Sequence, residues 1–229
     1  MTSPVHDVVP AGPNDPPGAA FGAILLPLVI AGIIAGVVLT RMVGSVPWRL
    51  AGLAVFGAGA GAATAAIAQR WLSVLPGSYY TVAAAAGLIA VAVSAAVAGL
   101  GSMAGRAGRA AAGLGLGAAT VMVLGNPLSG VTSAPEMLPR PWGQVGRGLP
   151  SGAGSTLLRS VAYFGGAWSG GLWATLAIWA AAGLVLVALS GTGGKRRGFQ
   201  PAQSAAGTAR RSRPPAQPQN VQGTGRWAR

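Results

Sequence analysis

Four stretches of this chain, 21–40, 50–68, 81–101 and 171–190, each run for about twenty residues without an Asp, Glu, Lys, Arg or His. A helix of that length rises far enough to cross the roughly 30 Å hydrocarbon core of a bilayer. Only 8% of the 229 residues are charged and 52% are hydrophobic, whereas a soluble domain carries about 25% charged residues. Most of the chain therefore cannot face water. A fifth apolar run, 110–124, is shorter but continues up to Asn126-Pro127. Counting it places Arg109 and the long segment that follows on sensible sides of a membrane. The expected fold class is all-α: a polytopic membrane helix bundle of about five transmembrane helices.

The first run reads as a retained span, because no Lys or Arg precedes it and its apolar length exceeds that of a signal peptide. Orientation follows from the basic residues, which are kept on the cytoplasmic side. With the N-terminus outside, twelve of the sixteen Lys and Arg fall inside: Arg41, Arg49, Arg106, Arg109 and eight after Ser190. Outside lie Arg70, Arg140, Arg147 and Arg159, together with all three acids, Asp7, Asp15 and Glu136. The expected organisation is an extracytoplasmic tail over 1–18, a transmembrane domain over 19–190 and a basic cytoplasmic tail over 191–229. That tail is rich in Gly, Ala, Pro, Gln and Arg and is expected to be disordered. The expected location is the bacterial cytoplasmic membrane, with multiple passes, N-terminus out and C-terminus in.

Several chemistries are excluded by what the sequence lacks. There is no Cys, and the single His, His6, lies in a polar tail, so neither thiolate nor imidazole metal sites can be assembled. The GTGGKRRG segment has the wrong glycine spacing for a phosphate loop, and Arg196 stands where Ser or Thr must reach the metal. The tail offers only Phe199 and Trp227 among its basic residues, which does not make a nucleic-acid surface; its KRR and RRSR clusters suit topology and anionic lipid. No ionisable residue lies within the runs to carry protons. The chain is therefore expected to be no enzyme, to hold no cofactor and to bind no nucleic acid.

Small residues recur at helical spacing within the runs: Gly32 with Gly36, Gly57 with Gly61, and Gly113 with Gly117. Such faces let helix backbones approach closely, within the bundle or against a second subunit. Pro27 is expected to kink the first span. The loop GSMAGRAGRA, 101–110, resembles a cytoplasmic loop of major facilitator transporters but has Gly105 where that signature carries Asp. Its two arginines are read as topology determinants.

Between the fourth and fifth runs lies an external loop, 125–170, too long for a simple connection. Pro135, Pro139, Pro141 and Pro150 divide it, and Trp142 and Trp168 suit the headgroup boundary. Ser151 can cap a short helix, in which Leu157, Val161 and Phe164 share one face while Ser155 and Arg159 turn elsewhere. This predicts an external interfacial or re-entrant helix. Candidate external gate or partner contacts are Asn126, Pro127, Glu136, Pro139, Trp142, Pro150 and Arg159. Asn126 and Pro127 are also expected to end the fourth span.

The segment NPLSGVTSAPEMLPRPWGQVGRGLPSGAGSTLLRSVAYF resembles the loop before the last span in bacterial membrane proteins of the YhgE/Pip type, relatives of type-2 ABC exporter permeases. The shared pattern is Asn-Pro, Pro-Glu-Met-Leu-Pro, Trp, Leu-Pro-x-Gly-Ala and an Arg, and the resemblance extends over about Asp15 to Ser190. It implies a six-span permease half with an extracytoplasmic domain after its first span, acting as a dimer with an ATPase. Set against that pattern, this chain is expected to start just ahead of the second span, without the first span and the domain. The expected function is a membrane-spanning component of an ABC-type export system. Its expected partners are membrane lipid, another permease subunit in a homo- or hetero-oligomer, and a separate ATPase. The alternative is a non-transporting membrane scaffold or truncated permease relative that recruits a partner.

Overall fold

A computed structural model of the chain describes residues 20–107, Gly146 and residues 148–191. The N-terminal tail, the run at 110–124, most of the loop after it and the basic tail lie outside the described residues. Five α-helices are present among the described residues, and no strand. They are α1 (Ala20–Met42), α2 (Val46–Ala65, continued by a π-helical turn Ala66–Trp71), α3 (Tyr79–Ala107), α4 (Pro150–Tyr163) and α5 (Gly170–Ser190). Four of them, α1, α2 with its π-turn, α3 and α5, are long and apolar enough to cross a membrane. The described residues are thus all-helical, and their four long apolar helices suit a multi-pass membrane protein.

Helix α3 forms the axis. Of its apolar window 78% is buried inside the protein, against 22–28% for the other three spans, and α1, α2, α4 and α5 all pack on it. Its sequence explains both its conformation and its place. An Ala-rich run with no Pro favours helix, and its many Ala, Gly and Val side chains allow neighbours close on all sides.

The outer helices each offer a narrow stripe to that axis. On α2 it is Leu53, Gly57, Gly61 and Ala65, and on α5 it is Leu176, Ala180, Gly183 and Val187. The opposite faces carry large apolar side chains in the open, among them Ile30, Ile34, Val55, Ile178 and Val185. Small residues inside and bulky ones outside is the distribution expected where lipid, and not water, surrounds the bundle.

At one end of the bundle the α1–α2 turn meets the end of α3. Arg49 donates from Nε to the Val43 carbonyl, from one terminal nitrogen to the Thr40 carbonyl at 3.0 Å and from the other to Ser102 Oγ at 3.3 Å. Helix α2 consequently begins at Val46, four residues before the charge-free run, because the guanidinium in its first turn is taken up by carbonyls that α1 leaves open. At the opposite end Tyr79 donates to the Ala62 carbonyl at 3.2 Å, and Trp71, Tyr80 and Trp168 stand exposed. Aromatic side chains of this kind favour the membrane–water boundary.

Candidate functional site

Fourteen residues give α4 a length of about 21 Å, too little to cross a bilayer. Pro150 starts it. The preceding Leu149 is extended (φ −82°, ψ 149°), as a residue before proline prefers, and its carbonyl accepts from the Ala153 amide at 2.9 Å.

Contacts at its two ends fix the depth of α4. Just before the helix, the Gly148 carbonyl accepts a hydrogen bond at 2.9 Å from the indole of Trp179, which lies halfway along α5. In the middle, Gly154 lies against Ile89 of α3, where an added Cβ would come within 2.8 Å of the Ile89 side chain. At its far end Val161 and Ala162 lie over Gly77, just ahead of α3; there φ is +103° and an added Cβ would be 3.0 Å from the Val161 carbonyl. Helix α4 therefore starts level with the middle of the spans and ends level with their Tyr79 end. A turn then leads into α5. In it the Ser160 hydroxyl donates to the Ala167 carbonyl at 2.7 Å, the Gly166 amide donates to the Ser160 carbonyl at 2.9 Å, and Trp168 adopts φ +59°.

This geometry corrects three expectations for the segment. Ser151 is not the cap: Leu149 occupies that position and makes no side-chain cap bond. Ser155 does not turn to a polar side but is 2% exposed, its hydroxyl donating to the Gly152 carbonyl at 2.9 Å. Phe164 is not on the buried face; it ends the helix and is 55% exposed. Pro150 opens the helix and so puts the cap at Leu149, and the helix ends at Tyr163, which leaves Phe164 beyond the buried face. Helices α3 and α5 cover α4 from more than one direction, so a single apolar face does not describe it. Leu157 and Val161 are buried as that face required.

The start of α4 holds an unusual combination. A helix leaves its first-turn amides without intrahelical acceptors and carries partial positive charge there. Beside those amides Ser151 is fully buried, yet among the described residues its hydroxyl has no hydrogen-bond partner. Buried polar atoms are nearly always paired, so the first turn of α4 presents unused hydrogen-bonding capacity deep among the spans.

Of the residues proposed from sequence, Pro150 is buried at the first helical position of α4 and Arg159 is half-buried further along it. Asn126, Pro127, Glu136, Pro139 and Trp142 lie outside the described residues, as do Gly113 and Gly117. The other four glycines all face α3. An added Cβ would be 3.1 Å from Val93 Cγ1 at Gly32 and 2.6 Å from the Ser94 carbonyl at Gly36; at Gly57 it would meet the Val91 side chain, and at Gly61 the Ala83 carbonyl. Sequence reasoning missed Ser151 as a buried polar group, Gly154, the Trp179–Gly148 bond and Gly183, where a Cβ would strike the Ala95 backbone. The run Ser151–Ser155, all small residues, was the available signal for a closely packed face.

Comparison with family models, with curated proteins and with solved structures finds no match to this chain.

Proposed function

We propose that the chain is a membrane-spanning component of an ABC-type export system in a bacterial cytoplasmic membrane, with its N-terminus outside and C-terminus in the cytoplasm. The observation that supports this reading is the half-length helix α4, which begins beside Trp179 at mid-span with an unpartnered buried hydroxyl in its first turn. Helices interrupted at membrane depth are tolerated where protein buries them or where they line a route for polar cargo, and transporters use their N-terminal ends to hold it. The described spans carry no carboxylate, imidazole or amine with which to couple transport to an ion gradient. That supports a separate ATPase as the energy source, with α4 as the outer gate element between α3 and α5.

The test is affinity purification of the full chain from bacterial membranes in mild detergent, with and without Gly154→Leu, a substitution that drives α4 away from Ile89. An ABC-type ATPase should copurify with both forms. Its ATP turnover in proteoliposomes should be altered at least severalfold by the substitution while the complex stays intact. Recovery of the chain with no ATPase, or turnover indifferent to Gly154→Leu, would leave the scaffold reading in its place.

A further inference from the structure

The Tyr79 end of the bundle carries a second feature, between α1 and α2. Helices α1 and α2 separate there and leave an apolar groove of about 490 Å³, lined from Ala23 to Ala31 on α1 and from Phe56 to Ile67 on α2 and its π-turn. Among the described residues Thr64 is the one polar side chain in its wall. The eight-residue advance from Ala23 to Ala31 corresponds to about 12 Å along a helix, close to the roughly 15 Å depth of one leaflet's hydrocarbon. Its volume lies within the range of about 300–1,000 Å³ typical of small-molecule sites. Ile67 also belongs to a shallow depression at the mouth, shared with Arg70 and Trp71. Arg70 is exposed, and its guanidinium lies 5.4 Å from the centroid of the Tyr79 ring, which holds it at the boundary level. No Asp or Glu occurs anywhere in the described residues, so none of them neutralises Arg70.

A leaflet-deep apolar groove with a fixed cation and a tryptophan at its mouth matches one kind of occupant. We infer that the α1/α2 groove binds an acyl chain of an anionic phospholipid whose phosphate is met by Arg70. The π-turn contributes directly. Its wider winding, with the Leu72 amide donating to the Ile67 carbonyl at 2.9 Å, places Ile67 in the groove wall and Arg70 at the mouth within one turn.

The experiment uses the full chain delipidated in detergent and titrated with phosphatidylglycerol or phosphatidylcholine, with retained lipid counted by native mass spectrometry. The wild type should retain phosphatidylglycerol in preference to phosphatidylcholine. Arg70→Gln should lower the affinity for phosphatidylglycerol about fivefold, the share of one basic residue at a membrane surface, and erase the preference. Ala63→Trp, at an exposed position of the groove wall, should reduce retention of both lipids, whereas Ile178→Trp on the open face of α5 should change neither. Equal retention of the two lipids by the wild type, or indifference to both Arg70→Gln and Ala63→Trp, would overturn the inference. A disulfide-linked dimer formed in membranes through Ala31→Cys, in a chain with no other Cys, would also overturn it by assigning the groove to a second copy.

Discussion

Arg49 shows how one residue can hold two roles that a single substitution separates. A positive charge at a span end can bias orientation, and the planar fork of Arg49 joins the Val43 and Thr40 carbonyls of the α1 end to Ser102 of α3. Lysine keeps the charge but cannot present that fork. Arg49→Lys should therefore leave topology unchanged and cost about 1.5–3 kcal/mol, the worth of a charged hydrogen bond, read as a lower midpoint of thermal unfolding in detergent. Ser151 is the opposite case. A buried hydroxyl without a partner costs about 1–3 kcal/mol of desolvation, so Ser151→Ala should unfold at or above the wild-type temperature. A clear drop in that temperature would show that the hydroxyl is engaged in the folded protein.

Within α2 the same residue type serves different ends according to the face it occupies. Gly61 faces the Ala83 carbonyl and Gly87 of α3, whereas nothing lies within 4 Å of a Cβ added at Gly59. Gly59→Ala should be neutral or stabilise by up to about 1 kcal/mol, the helix-propensity difference. Gly61→Ala should destabilise by about 1–3 kcal/mol through overpacking, measured by the same thermal assay. Equal effects of the two would mean that α2 does not dock through this stripe. Helix α4 marks where reading the sequence ran out. Leu157 and Val161 were legible because their spacing repeats with the helical turn, and both are buried. Ser155 was not, because its burial depends on α3 and α5, helices that join α4 only through the fold, and a polar residue in a mixed sequence reads by default as a solvent-facing one. The span positions were legible for a simpler reason: a charge-free run of twenty residues leaves few other structures available. Even there Arg49 blurred a boundary, since the carbonyls that accept its hydrogen bonds are not visible in a run of letters.

At the level of the whole molecule, the Arg49 and Tyr79 ends should face opposite compartments. Ser45 is exposed in the α1–α2 turn and Ser78 is exposed just ahead of α3. In a chain without native Cys, an impermeant thiol reagent applied to intact cells should label Ser78→Cys and not Ser45→Cys, and the reverse pattern would invert the proposed orientation. The enclosure of α3 has a further consequence, which concerns time. Its neighbours come from both sides of it in the chain, α1 and α2 made before it and α4 and α5 after, so during synthesis the axis of the bundle enters the bilayer with half its circumference bare. An alanine-rich surface is apolar enough to wait in lipid, and the late arrival of α5 then seats Gly183 against Ala95 and Gly99. Until that moment the nascent protein displays an open flank of the kind that membrane proteases and chaperones inspect. A chain ended after α3 should therefore insert correctly yet turn over several times faster in a pulse-chase, and co-expression of a separate α4–α5 fragment should restore its lifetime.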